Sequence, residues 1–147
     1  MLFEIKNKID EITYLCDTVK AYCNSNDISD EKYHDIVLIL DEMVTNIIMY
    51  AYPDGGEHVF SVEIEKTNDS YVNITITDNG IAFDPLAKDD PITSLDIEER
   101  EIGGLGIFLV KQLSECIEYS RIDDHNKLNI KVAIVKKEEN HGSQERK

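Results

Sequence analysis

Hydrophobic residues recur along this chain with two different periods, and the change from one to the other marks its elements. Phe3 and Ile5 alternate with polar neighbours and predict a short edge strand. From Asp10 to Cys23, Ile12, Leu15, Cys16, Val19, Tyr22 and Cys23 follow the spacing of an amphipathic helix, and residues 24–27 break it. A second, longer helix is predicted from Glu31 to Tyr52. Ser29 can cap it, Asp30 and Glu31 fall in its first turn, and Ile36, Leu40, Met43, Val44 and Ile47 form its apolar stripe. Tyr52-Pro53-Asp54-Gly55-Gly56 stops it. Two alternating runs follow, Phe60, Val62, Ile64 and Val72, Ile74, Ile76, joined at Asn68-Asp69-Ser70, as expected of a hairpin.

Between Pro85 and Glu101 the periodicity lapses. Gly103-Gly104-Leu105-Gly106 then opens a helix through Phe108, Leu109, Leu113 and Cys116. Ile117, Tyr119 and Arg121 predict one strand, and Leu128, Ile130, Val132 and Ile134 the last. The charged segment 136–147 is expected to be a disordered tail, which leaves a single domain over 1–135. Hairpins mixed with helices point to an α+β fold. The expected form is a two-layer α/β sandwich whose mixed, mainly antiparallel sheet carries helices on one face.

Three places interrupt the apolar pattern with chemistry. On the long helix Asp41, Glu42 and Asn46 lie against the stripe. Glu42 and Asn46 are one turn apart, with Cβ atoms roughly 5–6 Å from each other. A carboxylate and an amide on a half-enclosed face need partners, since burying each unpaired costs about 1–3 kcal/mol. A solvated edge or an internal hydrogen bond is the alternative. In Asp78-Asn79-Gly80-Ile81-Ala82-Phe83-Asp84-Pro85, Asp78 keeps the phase of Val72, Ile74 and Ile76, so an aspartate occupies a core-facing position. The amino group of a purine would satisfy it, and Gly80 would let a flat ligand approach the backbone. A plain Asn-Gly hairpin turn is the competing account, weakened by Pro85 directly after it. The glycines at 103, 104 and 106 precede a helix, where free backbone donors favour an anion, although glycines also permit tight packing. No GxxxxGK[ST] P-loop occurs, and no GxGxxG follows a strand.

Composition narrows the field. The formal net charge is −15 with a pI near 4.5, which disfavours nucleic acid and anionic membrane and suits a protein partner with a basic surface. A bound polyphosphate would need local neutralisation. With 41% hydrophobic residues, no long apolar run and no signal-peptide core in MLFEIKNK, a cytoplasmic protein is expected. The three cysteines, Cys16, Cys23 and Cys116, match no zinc spacing and are expected as buried reduced thiols.

Together, Glu42 with Asn46, DNGIAFDP at 78–85 and GGLGIFLVKQL at 103–113 make the chain resemble the histidine-kinase-like ATPases, which include gyrase and a major heat-shock protein. Within them AYPDG at 51–55 and the FDP at 83–85 are most similar to the bacterial anti-sigma-factor serine kinases, over Phe3 to about Val135. The resemblance implies that Asn46 holds Mg²⁺ through its amide oxygen and that Glu42 orients or deprotonates the attacking hydroxyl. Asp78 would accept from the adenine amino group, with Gly80 and Phe83 of the same motif lining the nucleotide site. The loop from Pro85 to Ile102 would be an ATP lid, and the glycine cluster, Gly103 and then the donors of Gly104, Leu105 and Gly106, would take the phosphates. Tyr50 departs from the histidine common in relatives, and Asn129 falls about where many carry a threonine near the adenine. Arg100 in the lid would touch phosphate or partner, or form a surface ion pair.

No histidine occurs in the 10–23 helix and no dimerisation helices precede the module, which argues against a self-phosphorylating sensor kinase; the length argues against a gyrase-like second domain. The implied activity is an ATP- and Mg²⁺-dependent protein serine/threonine kinase. It would bind a sigma factor and be countered by an antagonist protein carrying the target serine, with homodimerisation open. The alternative is a nucleotide-binding regulator that holds its partner without phosphorylating it.

Overall fold

The structure is a computed structural model and describes residues 1–87 and 104–135. Alternation builds the sheet. Strands β1 (Leu2–Lys6), β2 (Val59–Lys66), β3 (Tyr71–Asp78), β4 (Cys116–Ile122) and β5 (His125–Ala133) lie in the order β1-β2-β3-β5-β4. All four pairings are antiparallel, so the mainly antiparallel sheet expected from the hairpins has no parallel pair among the described residues. Phe60, Val62 and Ile64 of β2 and every second residue of β3 are buried, and Val62 faces Ile76 as Ile64 faces Ile74 across the ladder. β5 keeps the same phase, with Asn126, Leu128, Ile130 and Val132 on the inner face. A one-residue slip would expose this whole set, so the register is strongly specified.

Helices α1 (Glu11–Ser25), α2 (Asp30–Asn46) and α3 (Gly104–Leu113) cover that inner face. The Ser29 side chain caps α2 by accepting from the Lys32 N–H at 3.3 Å, as its sequence predicts. Ile36, Ile39, Leu40, Met43 and Val44 are buried, so the stripe is wider than the predicted one by Ile39. Each such side chain contributes about 1.5–3 kcal/mol on leaving water, which holds α2 as the central beam between α1, α3 and the sheet. The predicted single helix to Tyr52 does not stay regular: after Asn46 the backbone widens into a π-helical turn, Ile47–Ala51. Such a turn is an uncommon geometry that gathers at functional sites. Residues 88–103, with Arg100 and Gly103 of the expected lid and phosphate loop, lie outside the described residues, as does the 136–147 tail.

The thiols divide. Cys23 is buried and Cys16 half-buried, but Cys116 is exposed at the edge strand, because the third helix ends at Leu113 and Cys116 begins β4. Burial pushes the Cys23 thiol up to about 11, and burial followed by the charges of Asp41 and Asp17 raises Cys16. At pH 8 a maleimide should therefore label Cys116 first and reach Cys23 only on unfolding. Mass mapping of labelled peptides checks the order, and rapid labelling of Cys23 in the native state would contradict this packing.

Candidate functional site

The site grows from one polar position in an apolar ladder. Asp78 ends β3 in the phase of Ile74 and Ile76 and is only 6% exposed. Its Oδ1 accepts from the Gly80 N–H at 2.9 Å and from Asn126 Nδ2 at 3.0 Å. Asn126, equally buried, stands directly opposite on β5. Among the described residues Oδ2 of Asp78 receives no hydrogen bond. A buried carboxylate oxygen without a donor is costly, and the cleft beside it is where a donor can enter.

That cleft is open to solvent on one side, with about 560 Å³ of space once its open mouth is included. Met43, Ile47, Ile76 and Leu128 make its apolar walls, and Asp78 with Asn126 its polar floor. Tyr50 and Ile81 stand about half exposed around it, and Phe83 is 37% exposed. Asn46 lines it too, half-buried, its amide without a hydrogen bond among the described residues. An apolar slot with a few convergent polar groups is the usual build of a small-molecule site.

The loop after β3 is tied down on both sides. Asn126 Nδ2 also donates to the Ile81 carbonyl at 2.7 Å, while its Oδ1 accepts from the Tyr119 hydroxyl and, at 3.4 Å, from the Phe83 N–H. Arg121 donates to the Gly80 carbonyl at 2.9 Å, and the Ile81 N–H to the carbonyl of Ala51 at 2.9 Å. Tyr52 donates to Asn79 Oδ1 at 3.1 Å and stacks on His58 with centroids 4.1 Å apart. Burial, and then the nearby Asp78 charge, raises the Tyr52 phenol. His58 in turn meets Asp54 at 2.9 Å, and Asp54 is held below the usual carboxylate range first by the Gly56 N–H and then by His58.

Three of the predicted residues, Asn46, Asp78 and Phe83, meet in this cleft. Gly80 does not line it. The close approach that demands a glycine there comes from the chain itself: a Cβ on Gly80 would strike the Ala51 carbonyl and lie 2.6 Å from the Ala51 Cβ. Glu42, one helical turn before Asn46 on α2, meets Gly106. A Cβ on Gly106 would run into the Glu42 carboxylate, lying 2.8 Å from its Cδ. Gly104, Leu105 and Gly106 form the first turn of α3, where helical geometry leaves backbone N–H groups without internal partners, and Leu105 is 41% exposed.

Asn129 is a correction. It lies on the opposite face of the sheet, where its Oδ1 accepts from Thr75 at 2.9 Å, because its odd position points away from the phase of Leu128 and Ile130. The residues that reach the cleft from β4 and β5 are Tyr119, Asn126 and Leu128. Sequence reasoning missed Asn126 and Tyr119. The signal was the rule that singled out Asp78: Asn126 is a polar residue in the core phase of its strand.

With this geometry in hand, the comparisons decide the family. The model of the histidine kinase-like ATPase domain matches residues 5–132. The chain belongs to that family. Among curated relatives it is similar to a serine/threonine-protein kinase, BtrW, of Bordetella bronchiseptica, 27% identical over 95 residues, covering 65% of this chain and 66% of that one. It is also similar to the anti-sigma F factor of Clostridium perfringens, 28% identical over 115 residues, 78% of this chain and 81% of that factor. A serine-protein kinase RsbW of Halalkalibacterium halodurans is 29% identical over 105 residues, 69% of this chain and 63% of the kinase. The chain thus spans somewhat under two thirds of the length of the kinases it matches. In fold it is similar to a chain of the Pseudomonas aeruginosa SiaB–SiaC complex, with TM-score 0.61 at 17% identity, covering 91% of this chain and 89% of that one.

The two glycines should differ when replaced. Gly80→Ala meets backbone, which cannot yield cheaply, and should cost about 1–3 kcal/mol in urea unfolding. Gly106→Ala meets only the end of a flexible side chain and should cost clearly less. Equal losses would show that Gly80 is not held against Ala51.

Proposed function

We propose that this domain binds ATP with Mg²⁺ and transfers the terminal phosphoryl group to a serine or threonine of a partner protein, as an anti-sigma regulatory kinase. The observation that carries the nucleotide half is Oδ2 of Asp78, without a hydrogen bond among the described residues, beside an apolar slot. An adenine ring fits such a slot, and its exocyclic amine supplies the donor that Oδ2 lacks. Phe83, Ile81 and Tyr50 at the mouth offer the ring apolar and aromatic contact.

Asn46 lies on the same cleft one helical turn from Glu42, with its amide free among the described residues. The described residues contain no cluster of three His, Cys, Asp or Glu side chains. A divalent ion would be held by the Asn46 amide oxygen together with the phosphates of the ligand, in the manner usual for Mg²⁺. Such an ion would neutralise the phosphate charge, which a chain of net charge −15 otherwise opposes. The first-turn N–H groups of α3, Gly104 to Gly106, orient the phosphates by donating along the helix dipole. Glu42, packed on Gly106, stands beside that terminus, where its carboxylate can take the proton of an incoming hydroxyl.

The relatives that bear kinase and anti-sigma names support the class of reaction and of partner. The partners proposed are a sigma factor and an antagonist protein with the target serine, engaged in the cytoplasm. An acidic chain favours basic surfaces on both, and no helix among the described residues is long and apolar enough to cross a membrane.

Calorimetry with Mg-ATP tests the binding half: Asn46→Ala should weaken affinity by at least ~10–100-fold. Unchanged affinity removes Asn46 from the metal site. Glu42→Ala should retain ATP binding and lose about 10²–10⁴-fold in phosphoryl transfer to a partner serine, followed with labelled ATP. A wild type that binds ATP tightly but phosphorylates no co-encoded partner would mark the domain as a regulator that holds its partner without chemistry.

A further inference from the structure

Asn126 spends its whole hydrogen-bonding capacity on one arrangement. A carboxamide offers two N–H donors and two oxygen lone pairs. Both Nδ2 hydrogens are used, on Asp78 Oδ1 and on the Ile81 carbonyl. Both acceptor positions of Oδ1 are used as well, by the Tyr119 hydroxyl and the Phe83 N–H. Flipping the amide would set its oxygen against the Asp78 carboxylate and the Ile81 carbonyl, and its NH₂ against the Phe83 N–H. Every contact except that with the rotatable Tyr119 hydroxyl would become repulsive. The orientation is locked, and with it that of Asp78, whose Oδ1 is saturated by Asn126 and Gly80.

We infer that Asn126, braced by Tyr119, is the positioning residue that makes the cleft select a 6-amino purine over a 6-oxo purine. This rests on the nucleotide reading above. With Oδ1 held by two donors, the carboxylate cannot rotate its free oxygen away. It presents one fixed acceptor. The 6-amino group of adenine donates to it, whereas the 6-oxygen of hypoxanthine meets it oxygen to oxygen. Asn126 also joins that carboxylate to the segment that borders the cleft, since Ile81 and Phe83 are bonded to the same side chain. Base recognition and the position of the Phe83 ring are thereby set together.

ATP and inosine triphosphate differ only at this edge of the base, so their affinity ratio reads the clamp. Asn126→Asp keeps the size and replaces the donor facing Asp78 by an oxygen; Tyr119→Phe removes one hydroxyl and leaves the amide. The wild type should bind ATP on the order of 100-fold more tightly than inosine triphosphate, the scale set by leaving a buried polar group unsatisfied. In Asn126→Asp the ratio should collapse toward unity, with ATP affinity falling while inosine triphosphate affinity holds or rises. Tyr119→Phe should narrow it in the same direction by about threefold. Asn129→Ala, on the opposite face of the sheet, should leave it unchanged, and thermal melting of each variant reports its folding. A uniform loss of both affinities in folded Asn126→Asp, or an unchanged ratio, overturns the role of Asn126 alone. A wild type that binds neither triphosphate overturns the nucleotide reading and this inference with it.

Discussion

The constraint on which the site depends is a buried carboxylate in a β ladder. Asp78 occupies a position that the alternation of β3 reserves for an apolar side chain, and burying it bare would cost several kcal/mol. The described residues meet the demand from one side. Gly80 and Asn126 satisfy Oδ1, and the other oxygen stands beside a slot walled by aliphatic side chains. A group left half satisfied in an otherwise saturated network is a feature of binding sites rather than of cores.

Around that carboxylate, rigidity comes from secondary structure and not from the loop itself. Asn126 is held in the β5 ladder directly opposite Asp78, Tyr119 comes from the neighbouring strand, and Arg121 two residues on takes the Gly80 carbonyl. From the other layer the π-helical end of α2 brings Ala51 against Gly80, and the Ala51 carbonyl accepts from Ile81. The segment after β3 is thus pinned between sheet and helix layer. The same helix carries Asn46 into the cleft and, one turn earlier, presses Glu42 on Gly106 of α3. One beam therefore sets the spacing between the Asp78 cleft and the start of α3. A shift of α2 would move both together.

The acidity of the chain bears on its chemistry more than on its fold. A polyphosphate approaching a surface of net charge −15 meets an unfavourable field, so binding requires concentrated local compensation. In the proposed reading that compensation would come from the Asn46 amide, the first-turn N–H groups of α3 and a metal shared with the ligand. The outer face of the sheet repeats the theme of polar side chains paired with one another, as in Thr75 with Asn129.

Much of this was legible in the residues. Strict alternation in β2, β3 and β5 and the cap and stripe of α2 follow from local propensity and period, and they appear in the structure where the pattern puts them. Asp78 was legible for the same reason, as a polar residue in an apolar phase. Asn126 obeyed that rule as well, yet its meaning lay in a register that pairs it with Asp78 across 48 residues of chain, and no local period encodes such a pairing. Gly80 shows the remaining limit. Its flexibility could be read as room for a ligand, and only the packed helix reveals that Ala51 takes that room. The sequence by itself determined which positions face inward and which of them are polar, because side-chain direction follows the local backbone period. Tertiary structure decided which of those polar groups meet, which are satisfied and which is left open, because hydrogen bonds between distant strands exist only once the layers have packed.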